Sequence, residues 1–427
     1  MYKWLAMCLD SVYEYIPKNY DTFELRVKFA GIAQHALTIA DYAKSQQYNQ
    51  INEIKIADLF DKIGTGYYNI PVYKYALICN SKALNIYENT LGKEHIETSK
   101  VYSNMILLYF EECMYDKAFE LYNKTYVYIE KSFGANSLDL ATFFNNIACI
   151  YHVQNNFEEA LEWYNKSLSI REKFEVNKSV ISMSYNNIAA LYADWGNIDF
   201  AFDYYCKAFE YCDDDCIEKN LVASIYNGLG MIYAKKRDYK EAVDFLCKAL
   251  LIRIELLGSS HPDVAIVYNN LALTNSYKKD YEIAQELYEK ALEIQRSNYG
   301  DNHIYIAAIL ENIAVNLYKQ ELYQEALLKQ FEALAILDKI FGGSHTYKAI
   351  SYNEIALCYF KQGEYNTALE WHFKAVAIFK EKYGLNHAKT IGTYGKISIT
   401  YEKLGDFENS EKYRKLYKRA KNDKIEN

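Results

Sequence analysis

A four-residue phrase returns along this chain every 41 to 42 residues and constrains the fold more than any other feature. Asn145-Asn146-Ile147-Ala148 reappears as Asn186-Asn187-Ile188-Ala189, Asn227-Gly228-Leu229-Gly230, Asn269-Asn270-Leu271-Ala272, Glu311-Asn312-Ile313-Ala314 and Asn353-Glu354-Ile355-Ala356. Self-similarity at this period marks a solenoid, in which each repeat is one helical hairpin that buries its apolar face only by stacking on its neighbours. Chains of this kind usually bind other molecules rather than transform them.

The register reaches well beyond the phrase. Twelve residues after its first position stands an aromatic, at Tyr73, Tyr115, Phe157, Tyr239, Tyr281, Tyr323, Tyr365 and Phe407, with Ile198 as the exception. Three residues on comes a small side chain, from Ala76, Ala118, Ala160, Ala201, Ala242, Ala284, Ala326 and Ala368 to Ser410, and seven further on another, from Ala83 through Thr125, Ser167, Ala208, Ala249, Ala291 and Ala333 to Ala375. Antiparallel helices approach to roughly 8–10 Å only where small side chains face each other. The pattern predicts nine hairpins, each with its turn aromatic filling the wedge to the next.

These residues resemble the tetratricopeptide repeat family, in its 42-residue variety found in kinesin light chain. Ala291-Leu292-Glu293-Ile294 with Tyr299-Gly300-Asp301-Asn302-His303, and Leu257-Gly258-Ser259-Ser260-His261-Pro262-Asp263-Val264-Ala265, are similar to that variety's junction. The resemblance implies an all-α, right-handed superhelical solenoid over residues 55–417, preceded by a helical segment at 1–45 and followed by a basic tail at 418–427. Only 3 Pro and 17 Gly in 427 residues agree with long runs of helix.

Composition narrows the partners. The formal net charge is −8 and no basic block before the tail could track a phosphate backbone, so nucleic acid is excluded as a partner. No stretch approaches the ~18 apolar residues of a membrane span. The 9 cysteines, odd in number and scattered on predicted helices, point to a reducing compartment, and the chain reads as cytoplasmic.

The first 45 residues stand apart. Trp4 to Tyr15 and Phe23 to Ser45 have helical periodicity, with Asp21 or Thr22 placed to cap the second helix. Trp4, Leu9, Pro17, Phe23, His35-Ala36-Leu37 and Ile39-Ala40-Asp41 resemble the segment that joins the nucleotide-binding part of bacterial STAND regulatory ATPases to their C-terminal repeats. That likeness implies a sensor module acting with a separate effector. No G-x-x-x-x-G-K-[ST] loop occurs, so ATP hydrolysis is not implied.

No catalytic, metal or cofactor site is predicted. His95, His261, His303, His345 and His387 fall at equivalent joints, so neighbouring copies stand at least ~10 Å apart. They are expected to fix the loop that opens each hairpin, with Gly92, Gly258, Gly300, Gly342 and Gly384 ending the previous helix in the left-handed conformation. Cys212-Asp213-Asp214-Asp215-Cys216 has no second ligand pair at zinc-finger spacing, and its acids suit a helix N-terminus.

The asparagines carry the functional expectation. Asn104, Asn145, Asn146, Asn186, Asn187, Asn227, Asn269, Asn270, Asn312 and Asn353 fall on the first helix of each hairpin, where a residue that competes for backbone hydrogen bonds needs a reason. Two reasons are open: amides laddered between repeats, or amides gripping the main chain of an extended peptide. In kinesin light chain such asparagines contact bound peptide, and the resemblance implies the same here, with a protein or peptide segment as partner. Gly228, between Asn187 and Asn270, is expected to open a notch in that face.

Overall fold

The computed structural model describes residues 2–17, 23–45, 50–70, 72–112, 114–134, 137–174, 177–212, 219–385 and 387–423. Among them every regular element is a helix. Two helices come first, α1 (Tyr2–Tyr15) and α2 (Phe23–Lys44). Nine pairs follow: α3 (Gln50–Asn69) with α4 (Tyr73–Thr90), α5 (Ile96–Glu111) with α6 (Tyr115–Phe133), α7 (Leu138–Val153) with α8 (Phe157–Lys173), α9 (Lys178–Trp195) with α10 (Ile198–Glu210), α11 (Lys219–Lys235) with α12 (Tyr239–Leu257), α13 (Pro262–Lys278) with α14 (Tyr281–Tyr299), α15 (Ile304–Lys319) with α16 (Tyr323–Phe341), α17 (Thr346–Lys361) with α18 (Tyr365–Tyr383), and α19 (Ala388–Leu404) with α20 (Phe407–Asp423). The helices divide into two compact units, Met1–His261 and Pro262–Asn427. Asp21, Thr22 and residues 213–216 lie outside the described residues.

The small positions are where the helices meet. Ala76, Ala118, Ala160, Ala201, Ala242, Ala284, Ala326 and Ala368 are wholly buried, and so are Ala83, Ala208, Ala249, Ala291, Ala333 and Ala375. Where the second column carries a hydroxyl, a carbonyl receives it: Ser167 Oγ donates to Ala141 O at 2.6 Å and Thr125 Oγ1 to Leu121 O at 2.8 Å. Burial without a partner would make those hydroxyls costly.

The turn aromatic reaches the next hairpin at Phe157, which stacks on Trp195 at 5.7 Å, but elsewhere it also packs within its own hairpin. It is the first residue of its second helix, and at Tyr73, Tyr115, Tyr323 and Tyr365 it packs back on an aromatic five residues earlier in its own hairpin. Ring centroids are 5.7 Å apart for Tyr68 and Tyr73, 5.7 Å for Phe110 and Tyr115, 5.5 Å for Tyr318 and Tyr323, and 5.4 Å for Phe360 and Tyr365. Edge-on and tilted pairs at such distances are favourable for aromatic quadrupoles. The ring therefore closes the tight turn between a hairpin's two helices.

That turn contains a conformation the sequence conceals. Ten residues after the phrase begins, φ is positive at Gly196 (92°), Gly363 (83°) and Gly405 (84°), and also at Asn155 (61°), Arg237 (65°), Lys279 (74°) and Glu321 (65°). An L-residue there pays ~1–2 kcal/mol that glycine does not, while glycine loses ~0.4–1 kcal/mol more entropy on folding. Lys279→Gly is thus expected to stabilise the second unit by about 0.5–1 kcal/mol, whereas Lys290→Gly, inside α14, should cost about 1 kcal/mol. Urea melts of the two variants check the sign.

The joints between hairpins are built by histidine, as predicted. His95, His303, His345 and His387 each accept, through Nδ1, the backbone N–H two residues on at 3.3 Å, capping the helix that follows. The last aromatic of the preceding helix stacks on three of these rings, at 4.2 Å for Tyr299 on His303, 3.6 Å for Phe341 on His345 and 4.2 Å for Tyr383 on His387. Gly258, Gly300, Gly342 and Gly384 have positive φ but not the expected left-handed helical conformation. Gly258, Gly300 and Gly384 have ψ of 155°, −175° and −176°, an extended region open essentially to glycine alone.

Candidate peptide-binding face

Within each unit the first helices of successive hairpins adjoin one another, α5 with α7 and α9 with α11 in the first, α13 with α15 and α15 with α17 in the second. The recurrent phrase lies on these helices, so its third position (Ile147, Ile188, Ile355) turns into the core while Asn145, Asn186, Asn187, Asn269, Asn270 and Asn312 among its first two stay partly exposed at the face. The asparagines do ladder. Asn187 Nδ2 donates to Asn145 Oδ1 at 2.9 Å, and Asn312 Nδ2 to Asn269 Oδ1 at 3.0 Å. Asn104 Nδ2 reaches Asp61 Oδ1 at 3.4 Å in the same register, second position to the first position of the previous repeat.

A side-chain amide has two acceptor lone pairs and two N–H donors. In each asparagine pair one N–H and one carbonyl are consumed, which leaves a carboxamide oxygen on Asn187 and an NH2 on Asn145, and likewise on Asn312 and Asn269. The pair thereby presents a donor and an acceptor side by side, the pattern that a peptide group complements.

Other predicted residues are placed differently. Asn146 is buried, and Asn353 is committed at both ends, accepting from His372 Nδ1 at 2.8 Å and donating to Thr393 Oγ1 at 2.9 Å. Burial of His372 holds its ring well below the usual histidine range, at about 3, so it is the neutral tautomer that donates. Asn186 Oδ1 is buried and has no hydrogen-bond partner. Asn227 and Asn270 lie on the same row of first helices.

Where an acid replaces the amide at the phrase's first position, burial makes its proton harder to lose. Burial lifts Asp61 from 3.8 to about 6, against the pull of the Asn104 hydrogen bond, and Glu311 from 4.5 to about 7, against that of the Ser351 hydroxyl that donates to it. A protonated carboxyl is a donor and an acceptor at once, as an amide is. Around Asn353 and Glu354 the second unit also has a cavity of about 310 Å³, with Lys389, Thr393 and Lys396 in its wall.

Gly228 does not open a notch. It is buried, and a Cβ there would lie 2.2 Å from Cζ of Tyr205 and 2.6 Å from its hydroxyl, because that ring occupies the space left by the missing side chain. Glycine to alanine inside a helix normally gains up to ~1 kcal/mol. Here Gly228→Ala is expected to cost about 1–3 kcal/mol by overpacking, a reversal that thermal melts detect.

Among the described residues no group of three His, Cys, Asp or Glu could hold a metal ion, and no helix is long and apolar enough to cross a membrane. The face is thus a row of hydrogen-bonding groups, mostly amides, on stacked helical hairpins, the makeup of a helical-repeat interaction surface. The tetratricopeptide repeat profile matches residues 97–173, 221–297, 275–339, 305–381 and 347–416, more than half of the chain, and the chain belongs to the tetratricopeptide repeat family. Members of that family typically serve as protein-interaction scaffolds and are generally non-catalytic.

Solved structures of similar fold include a Rap protein complexed with competence and sporulation factor, 15% identical, covering 99% of each chain with a TM-score of 0.55. A putative kinesin light chain from Podosopora anserina is 20% identical over 50% of this chain and 100% of its own, with a TM-score of 0.43. BtubC (BKLC) from P. vanneervenii is 20% identical over 54% of this chain and 91% of its own, with a TM-score of 0.42. No curated protein sequence matches the chain.

Proposed function

We propose that the chain is a non-catalytic module that captures an extended protein or peptide segment along the face of its first helices, gripping the segment's main chain through the laddered asparagines. The observation that carries this reading is the pairing of Asn187 with Asn145 and of Asn312 with Asn269, which orients the remaining amide groups and leaves a free donor beside a free acceptor at each pair. Preorganised amides bind a main chain at a lower entropic cost than mobile ones. Main-chain recognition also tolerates variation in the bound side chains. The Rap protein of similar fold was solved with a bound factor, which fits a capture role.

A second reading, a ligand-sensing regulatory module of a STAND-like system acting with a separate effector, draws on one contact in the first unit. Arg26 Nη1 on α2 donates to Leu256 O at the end of α12, 230 residues away, so the N-terminal helices touch the fifth hairpin. Hydrogen exchange with a partner recovered by affinity capture separates the two. Protection confined to first helices such as α7 and α9 supports capture alone, and an added change at α2 and the end of α12 supports sensing. Protection confined to second helices would overturn both.

A further inference from the structure

A cavity of about 250 Å³ opens between the first two hairpins, lined among others by Asn69, Asn80, Asn104, Tyr68, Leu107 and Leu108. Partner chemistry fixes how two of its amides are turned. Asn104 Nδ2 donates to the Asp61 carboxyl at 3.4 Å and Asn69 Nδ2 donates to Thr65 O at 2.8 Å, so each keeps its carbonyl oxygen for another donor. The third amide is the informative one. Asn80 is only 2% exposed, and its Oδ1 has no partner.

The backbone makes room for that orphan atom, since a Cβ on Gly64 would lie 2.2 Å from Asn80 Oδ1. A desolvated acceptor without a donor is unfavourable, and a group that persists in this state is poised to receive one. Three amide side chains with acceptor capacity to spare therefore line the cavity. Carboxyls flank it: Asp61 stands behind Asn104, and Glu111 accepts from the Tyr68 hydroxyl at 3.4 Å. A neutral donor would satisfy the oxygens but gain nothing from these acids. An ammonium is a compact point, whereas a guanidinium spreads five N–H donors in a plane and can reach several separated acceptors at once. Leu107 and Leu108 suit the methylene stem behind such a head group.

We propose that this cavity is a subsite for an arginine side chain of the bound polypeptide. The proposal rests on the capture reading, because the cavity belongs to the same row of first helices, and it adds a sequence preference to main-chain binding that otherwise has none.

The test uses the full chain and small probes, so it needs no identified partner. N-acetyl-arginine-N-methylamide and its citrulline and glutamate counterparts are titrated while TROSY spectra follow the backbone amides of Gly64, Asn80 and Asn104. The arginine probe is expected to shift these signals and to bind at least tenfold more tightly than citrulline, its neutral analogue, with no shift from glutamate. Asn80→Leu is expected to abolish the shift without lowering the melting temperature, because it removes an acceptor that has no partner. Equal binding of arginine and citrulline would overturn the cationic assignment. Absence of any shift, or undiminished binding to a folded Asn80→Leu variant, would overturn the site. The comparison of probes on the unaltered chain decides the matter even if that variant misfolds, and its outcome is separate from whether the asparagine ladder grips a partner.

Discussion

Glu311→Gln is expected to remove a pH dependence from the stability of the second unit. The carboxyl of Glu311 titrates at about 7 because it is buried, and its ordinary value is 4.5. Between those two values the folded chain holds a proton that the unfolded chain has released, so stability falls as pH rises through this window. The stability tied to this group is fully present below the unfolded value and is lost above about 7. At 1.36 kcal/mol per pKa unit the difference is about 3 kcal/mol.

Glutamine keeps the acceptor for the Ser351 hydroxyl and cannot ionise. The variant and the parent should therefore melt alike near pH 4.5, with the variant more stable by up to about 3 kcal/mol at pH 8. His303 and His372, held by burial at about 4 and about 3, act in the opposite sense, losing stability as pH falls below the usual histidine value. They are present in both proteins and cancel in the comparison. Parallel pH profiles for the two proteins would show that Glu311 is solvated and ionised throughout.

Titration at this position follows from its place in the repeat. A column that carries asparagine in five repeats, from Asn145 to Asn353, sits at the rim of a helix stack where water is partly excluded. An amide tolerates that environment at no electrostatic cost; a carboxylate does not. Asp61 and Glu311 therefore hold their protons more tightly than solvated carboxyls do, Glu311 up to about neutral pH and Asp61 only into mildly acid solution.

Much of this architecture was legible because close packing writes itself into composition. A buried position between helices 8–10 Å apart admits only a small side chain, so the Ala76 and Ala83 columns announced the hairpins before any coordinate did. Histidine capping was legible from its fixed offset to glycine. What the sequence hid were facts that depend on a neighbour or on a torsion angle. The φ of 74° at Lys279 leaves no compositional mark, since lysine is ordinary in a turn. Gly228 looked like an opening because its environment is set by Tyr205, a residue of the preceding hairpin that no local pattern connects to it. Asn353 matched its column in sequence, yet His372 and Thr393 draw its amide away from the face. The orphan oxygen of Asn80 belongs to a second helix, away from the asparagine column.

The account stands or falls on whether the laddered amides hold a partner's main chain. The direct measurement is calorimetric titration of the captured partner against the Asn145→Ala/Asn187→Ala variant, beside a thermal melt of the same protein. Each amide contact to a main chain contributes about 1–1.5 kcal/mol, so the double variant should bind roughly thirty- to a hundred-and-fiftyfold more weakly. Its melt should fall only by what one partly buried inter-repeat hydrogen bond is worth, about 0.5–1.5 kcal/mol, since the alanine columns and the isoleucines beneath the face are untouched. Unchanged affinity in a variant that still folds would contradict the account.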